Sequence, residues 1–476
     1  MINNNSWNLY YCNRRDTLCR TGFGIVWLLI LAFILNACDS FTDVDLPNSQ
    51  LTSDGVFEES NTANAAMTEV YANMRDQGMF SGSTAGNSLL LGIYADEFDY
   101  YGGSTNGITA YYNNSLLGST SMVRDTWIAA YTQIYYANAV NEGVTNAVNL
   151  PEADKVQLKG EALFTRAFLH FSLANVFGSV PYVTTTDYAV NSHVAKKTTA
   201  EVYTLAKEDL LQAVEFLGEE YSNDDRTRPN KFAARALLAR LNLYAGNYNE
   251  ASNDASAVLN STLYNYNDTE ADMFLTGSGA VIWQFSAASN GGNTLEAQTF
   301  NFTEGPPPVA ALGSELLAAF ETGDLRLANW TNTVTDGTTT WAHAFKYKEA
   351  DNTGSSIERS QVLRLGEIYL IRAEARARSG EIIGAREDLN TVREKAGLEP
   401  ITATTQELIL VAILQERRVE LFAEFGHRFF DLRRFGQLQS VLSNAKPGWD
   451  ANDELWPLPE AEINLNPNLA PQNSGY

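Results

Sequence analysis

Residues 99–122 combine aromatic and amide side chains in a segment that is otherwise rich in glycine, serine and threonine. Tyrosine and tryptophan rings stack on sugars and peptides, and neighbouring amide groups pair with hydroxyl or backbone groups of a ligand. Side chains of these types bind a ligand without reacting with it. The candidate contacts in this segment are Tyr100, Tyr101, Asn106 and Tyr112.

A second polar stretch, residues 276–308, and the tryptophans that follow it offer the same chemistry. We add Trp330 and Trp341 to the candidate contacts because both lie in this part of the chain. Trp283 is interpreted differently, since the sequence around it (VIWQFS, 281–286) alternates like a short strand and predicts core packing. Loops of this length in a folded protein are usually functional or disordered, and their aromatic residues favour function.

Catalytic and metal-binding patterns are weak in this chain. A glycoside hydrolase needs two carboxylates that flank the bond it cleaves, but solvated surfaces explain acidic pairs such as Asp96-Glu97. The 4 histidines are scattered without metal-ligand spacing, and no nucleophile elbow or phosphate-binding loop occurs. His170 lies on an apolar helix and is predicted to be a hydrogen-bonded core residue. We expect no cofactor and no metal, and an enzyme is the less favoured class.

The N-terminal region has the pattern of a bacterial lipoprotein signal. Three arginines precede an apolar run over residues 22–35, and Ala37 then precedes Cys38. The apolar run is too short to span about 30 Å of hydrocarbon comfortably as a helix. We therefore predict a signal peptide over residues 1–37, lipidation at Cys38 and a lipidated polar tether over 38–50. A transmembrane anchor that stays attached is the alternative.

The cysteine content and the net charge exclude several classes of site and binding partner. Only one of the 3 cysteines remains after the predicted cleavage, so the mature chain forms no internal disulfide and has no thiolate metal site. The formal charge of -24 argues against nucleic acid and anionic lipid headgroups, because both bind Lys/Arg surfaces. A content of 45% hydrophobic residues predicts a folded protein despite this acidity.

Helical pairs are the elements that the sequence predicts as scaffold for these loops. Residues 231–244 carry a small and apolar face, Gly246 makes a turn, and Ala251, Ala255 and Val258 mark a returning helix. A Gly-x-Tyr turn followed by spaced alanines is typical of tetratricopeptide repeats, where small residues let paired helices approach closely. The fold class is therefore mostly α. Further helices are predicted at residues 51–79, 131–148, 155–177, 362–378 and 382–393.

Several ordered motifs occur near the C-terminus. They are VLRLGEIYLIRAEARARSG (362–380), LNTVREKAGL (389–398), ERRVELFAEFGHRFFDLRR (416–434) and LWPLPEAEINLNPNLAPQNSGY (455–476). On these motifs, and on similar stretches upstream, the chain resembles the SusD/RagB family of outer-membrane nutrient-binding lipoproteins. The resemblance extends over essentially the whole mature chain. Ser474 stands where the family often has proline, which changes no functional inference.

The resemblance implies a SusD-like domain over residues 51–476, with tetratricopeptide-like helix pairs as scaffold. Ligand-binding insertions are expected around 95–125 and 276–345. The implied function is capture of glycans at the cell surface and their delivery to a SusC-like TonB-dependent transporter. The implied location is the outer membrane, through the lipid anchor. Two alternatives stay open: an oligopeptide-binding lipoprotein of the RagB type, and a transporter lid or scaffold that binds no ligand.

The 416–434 motif is dense in charged residues, as a binding site could be. Arg–carboxylate pairs between helices, however, fix helix packing and need no ligand. We expect a structural role for them. Trp456, between Leu455 and Pro457, is likewise predicted to pack in the core or an interface.

Overall fold

Helices are the main elements of the structure, and several of them pair as hairpins. The structure is a computed structural model that describes residues 53–476. The predicted signal peptide, Cys38 and the tether lie outside the described residues. The α-helices are α1 (Ser53–Val56), α2 (Ser60–Asp76), α3 (Asn87–Tyr94), α4 (Ile108–Tyr112), α5 (Ser121–Asn146), α6 (Glu152–Phe177), α7 (Tyr188–Asn191), α8 (Thr199–Phe216), α9 (Lys231–Tyr244), α10 (Tyr248–Leu259), α11 (Leu295–Phe300), α12 (Ser314–Leu317), α13 (Leu325–Trp330), α14 (Leu365–Arg378), α15 (Ile382–Lys395), α16 (Gln406–Glu420), α17 (His427–Arg434), α18 (Leu438–Ala445) and α19 (Glu460–Leu465).

Three hairpins, α5–α6, α9–α10 and α14–α15, follow one another through the helical part. Helix α8 packs between α6 and α9, and α10 packs against α14, so the hairpins join into one continuous layer. In α9, ten of the 14 residues are buried, and its alanines let neighbouring helices approach closely. Gly246 ends this helix with φ of +77°, a conformation that glycine adopts without strain. The mostly α fold class is confirmed, whereas the tetratricopeptide-like character of the hairpins stays a prediction.

The predicted helix over 362–378 is wrong at its beginning. Helix α14 begins at Leu365, because residues 361–364 form a strand that pairs with the segment around Trp283. All four residues of this strand are buried, so their apolar pattern does not distinguish strand from helix. The predicted helix over 51–79 is also divided, into α1 and α2.

Short strands pair between distant segments of the chain. They are β1 (Phe98–Tyr100), β2 (Val180–Pro181), β3 (Lys196–Lys197), β4 (Val281–Gln284), β5 (Ala310–Leu312), β6 (Thr331–Thr335), β7 (Thr340–Ala344) and β8 (Gln361–Arg364). Within residues 53–476 they form the antiparallel pairs β1–β5, β2–β3, β4–β8 and β6–β7.

Three residues predicted to be structural are core residues in the structure. Trp283 and Trp456 are both fully buried among other aromatic rings. His170 is hydrogen-bonded at both ring nitrogens, to the Arg166 carbonyl and the Val183 N–H, each at 2.9 Å. Burial lowers the pKa of His170 to about 3, so the ring is neutral.

Most of the charged residues of the 416–434 motif form ion pairs that are buried or nearly buried, as expected for a structural role. Arg326 bonds Glu416 at 2.7 Å and Glu420 at 2.9 Å, and all three side chains are almost fully buried. Arg417 bonds Asp431 at 2.7 Å in the same region. These pairs tie α13, α16 and α17 together.

Candidate functional site

The two predicted insertions meet through the antiparallel pair β1–β5. In its register, Phe98 lies opposite Leu312 and Tyr100 opposite Ala310. The Tyr101 N–H extends the ladder by donating to the Val309 carbonyl at 2.8 Å. Backbone pairing therefore fixes both tyrosines against the second insertion, although more than 200 residues of sequence separate the two segments.

Trp341, on β7, contacts Tyr101 across this junction. The two ring centroids are 6.4 Å apart and the planes are perpendicular, an edge-to-face arrangement that aromatic pairs favour. Tyr101 is 42% exposed, whereas Trp341 is 8% exposed. Trp341 also packs against Gly305, where an added Cβ would lie 2.1 Å from the indole ring. Trp341 thus supports Tyr101 and offers little surface of its own.

Tyr100 and Tyr112 form the second half of the site. Their ring centroids are 5.8 Å apart with planes tilted by 35°, and both side chains are partly exposed. The Tyr100 hydroxyl donates to the Gly103 carbonyl at 3.2 Å. We call Tyr100, Tyr101, Tyr112 and Trp341 the aromatic cluster.

Asn106 lies in the turn that leads into α4 and is exposed. Its side-chain oxygen accepts a hydrogen bond from the Ile108 N–H at 3.0 Å. This bond shapes the beginning of the short helix that carries Tyr112. The amide nitrogen of Asn106 makes no hydrogen bond within the described part of the chain, so it is open to a ligand.

Trp330, a sequence-predicted contact, lies in the hydrophobic core, buried more deeply than Trp341. It is 1% exposed, its Nε1–H donates to the Glu270 carbonyl at 2.8 Å, and Phe274 packs edge-on against it. The ammonium of Lys346 lies 4.8 Å from its ring centroid. With both ring faces enclosed, Trp330 offers no stacking surface, and we remove it from the candidate contacts.

Lys446 contacts the aromatic cluster, although the sequence analysis did not identify it as a candidate. Its Nζ lies 4.0 Å from the centroid of the Tyr112 ring, and the residue is 4% exposed. Burial lowers its pKa to about 8, while the negative charges of Asp99 and Asp96 oppose that change. No motif marks this lysine, because it follows α18, more than 300 residues after Tyr112.

The acidic pair Asp96-Glu97 precedes the cluster but is engaged in packing. Asp96 accepts from Arg428 at 2.7 and 2.8 Å and from Arg418 at 2.9 Å. Burial raises the pKa of Asp96, but these guanidinium groups outweigh it and hold the pKa below its usual value. Glu97 is 2% exposed, and burial, together with the charge of Asp96, raises its pKa to about 8. This geometry does not place two carboxylates on either side of an open cleft.

Within residues 53–476, metal-ligand clusters and membrane-spanning helices are both absent. No three His, Cys, Asp or Glu side chains lie together in a way that could hold a metal ion. None of the described helices combines the length and the apolar character needed to cross a membrane.

Two family models match the chain. One, described as starch-binding and associating with the outer membrane, matches residues 50–243, and a second, described as the SusD family, matches residues 319–476. The chain belongs to the SusD/RagB family. Among its relatives is SusD-like protein P2 of Formosa agariphila, 26% identical over 517 residues, with 95% of this chain and 99% of that protein covered.

Solved structures of the SusD superfamily share the fold. A member from Bacteroides vulgatus superposes with a TM-score of 0.76 at 20% identity, over 88% of this chain and 100% of its own. A laminarin-binding SusD-like protein superposes with a TM-score of 0.73 at 24% identity, over 87% of this chain and 99% of its own.

Proposed function

We propose that this SusD-like protein captures glycans at the aromatic cluster, without catalysis. The observation that carries the proposal is the β1–β5 pairing between the two distant insertions. This pairing fixes the backbone that presents the partly exposed tyrosine rings. Flat rings suit the apolar faces of sugars, and the amide of Asn106 suits their hydroxyls. The family's starch-binding description and the laminarin-binding relative support a glycan as the ligand class.

The site favours weak binding. Its rings lie at the surface, where a ligand buries less area than it would inside a closed pocket. We expect dissociation constants of about 10⁻⁶ to 10⁻³ M, equivalent to roughly 4–8 kcal/mol. Weak binding allows release, which suits a protein that hands its ligand to a SusC-like TonB-dependent transporter, the partner we propose.

We further propose that the protein lies at the outer surface of the outer membrane, held there by lipid on Cys38. Each buried CH₂ of an acyl chain contributes about 0.8 kcal/mol, so a diacylglyceryl group with a further N-acyl chain holds the protein firmly. The family description as an outer-membrane-associated protein supports this placement.

A binding screen of the mature chain without lipid, residues 39–476, tests the proposal. Laminarin is the first glycan to include, followed by starch and other plant, algal and microbial polysaccharides, with a pool of oligopeptides in parallel. Saturable binding of one glycan class is the expected result. Peptide binding without glycan binding would favour the alternative of a RagB-type oligopeptide-binding lipoprotein. Binding of neither glycans nor peptides would favour a transporter lid.

A further inference from the structure

The ammonium of Lys446 lies against one face of the Tyr112 ring, and no carboxylate of residues 53–476 forms an ion pair with it. Its Nζ is 4.0 Å from the ring centroid. Within residues 53–476 neither this nitrogen nor the Tyr112 hydroxyl makes a hydrogen bond. A nearly buried cation without a carboxylate at bonding distance is unusual, and the Tyr112 ring is the group in direct contact with it, while the charges of Asp99 and Asp96 act from farther away.

The other tyrosines of the cluster are fixed by different contacts. Tyr100 donates to the Gly103 carbonyl, and Tyr101 is braced by Trp341 and by the backbone pairing. Tyr112 packs against the hydrophobic core, and within residues 53–476 its ring interactions are with the tilted ring of Tyr100 and the ammonium of Lys446. The orientation of Tyr112 therefore depends on Lys446 more than on any hydrogen bond.

We propose that Lys446 is the positioning residue of the glycan site, and that its ammonium fixes the Tyr112 ring so that the exposed part of the ring contacts the sugar. This inference rests on the proposed function and adds to it a residue that need not touch the ligand. Cation–π contacts that are shielded from water are worth more than exposed ones, and Lys446 is 4% exposed.

The charge of Lys446 makes this contact dependent on pH. The groups that face it are Asp99 and Asp96, which favour the ammonium, and Tyr112 itself; Asp96 is in turn held by Arg428 and Arg418. Burial lowers the pKa of Lys446 to about 8. The ammonium is therefore present at pH 7 and lost as the pH rises through about 8, and the hold on Tyr112 weakens over the same range.

The test compares the unmodified chain with Lys446→Met, which keeps the side-chain length and removes the charge, and Lys446→Arg, which keeps the charge. Lys395→Met is the matched control, because Lys395 also lies over a tyrosine, Tyr266, but outside the cluster. Glycan affinity is measured by calorimetry from pH 6.5 to 9. Tyr112 ring resonances are followed by NMR over the same range and assigned with Tyr112→Phe.

We expect Lys446→Met to weaken glycan binding by about 3- to 30-fold at pH 7, to abolish the fall in affinity above pH 8, and to remove the Tyr112 resonance shift near that pH. Lys446→Arg restores most of the affinity at pH 7, and Lys395→Met binds like the unmodified chain. Equal affinity and an unchanged Tyr112 titration in Lys446→Met would overturn the inference. If the unmodified chain bound no glycan, the proposed function would fail, and the Tyr112 titration would still decide the role of Lys446.

Discussion

Tyr101 and Trp330 show how differently two aromatic residues of similar sequence context can be used. Tyr101 keeps 42% of its surface exposed while its backbone is fixed in a strand ladder, so its ring is both available and oriented. Trp330 is buried, and its indole N–H donates a hydrogen bond to the Glu270 carbonyl. Exposure, which decides whether a ring can stack on a ligand, is a property of the fold and not of the local sequence.

Trp330→Ala tests the assignment of this residue to the core. Removing a buried indole leaves a cavity and should lower the free energy of unfolding by about 3–5 kcal/mol. Glycan affinity per folded molecule should stay unchanged, because the ring does not reach the ligand. Chemical denaturation and calorimetry measure the two effects. A large loss of affinity with little loss of stability would return Trp330 to the site.

The candidate site could be predicted only in part at this scale. The paired tyrosines and Asn106 are candidates because aromatic and amide residues are concentrated in one polar segment, and their contact with a ligand stays a prediction. No sequence motif indicates a role for Lys446. A single lysine so far along the chain reaches the aromatic cluster only through tertiary packing. Trp330 was wrongly included because it lies next to a polar stretch.

The pair β1–β5 and the hairpin β6–β7 are the elements that assemble the cluster. The first carries Tyr100 and fixes Tyr101, and the second carries Trp341. Trp341 reaches Tyr101 because residue 305 is a glycine and leaves room for the indole ring.

Gly305→Ala tests whether this packing positions Tyr101. The added methyl would lie 2.1 Å from the ring of Trp341, so the ring or the backbone must move. We expect a destabilisation of about 1–3 kcal/mol and a loss of glycan affinity of about tenfold, equivalent to ~1.4 kcal/mol. Gly218→Ala is the matched control, since an added Cβ at this exposed position, outside the cluster, lies 3.8 Å from its nearest neighbour. Calorimetry that found both variants equal to the unmodified chain would refute a role for this contact.

The helices were more predictable than the strands. The pair α9–α10 follows directly from its alanine-rich periodicity and its turn glycine. Residues 362–364 were assigned to a helix because a buried strand and a buried helix have the same apolar composition over a few residues. The long-range pair β1–β5 has no local signal, since its strands are three residues long.

Over the whole molecule, buried carboxyl groups couple folding to pH. Glu296 is 4% exposed, and burial, followed by smaller effects of Glu424 and Glu358, raises its pKa to about 7 from 4.5. Between these values the unfolded chain releases the proton and the folded chain keeps it. The stabilisation from protonated Glu296 is therefore complete below pH 4.5 and is lost as the pH rises through about 7.

Glu296→Gln should remove this dependence, because the amide imitates the protonated carboxyl group. The difference in unfolding free energy between the unmodified chain and the variant should fall by about 3 kcal/mol between pH 4.5 and 8. Urea denaturation at several pH values measures it, with the exposed Glu407→Gln as control. A difference that stays constant with pH would contradict the assignment.

Membrane attachment is predicted to depend on one residue of the chain. In cells that process lipoproteins, Cys38→Ala should move the protein from the membrane fraction to the soluble fraction, because it removes the site of acylation. Fractionation and immunoblotting measure the distribution, with Ser40→Ala as control. Continued membrane retention of Cys38→Ala would support an uncleaved anchor instead.

The most direct test of glycan capture at the aromatic cluster is calorimetric titration of the glycan identified in the screen into three chains. These are the unmodified protein, Tyr101→Ala, and Tyr135→Ala, which removes a ring of similar exposure (46%) outside the cluster. We predict that Tyr101→Ala binds at least about tenfold more weakly, a loss of ~1.4 kcal/mol or more, at unchanged stability, while Tyr135→Ala binds like the unmodified protein. Equal affinity of all three chains would contradict the assignment of the site.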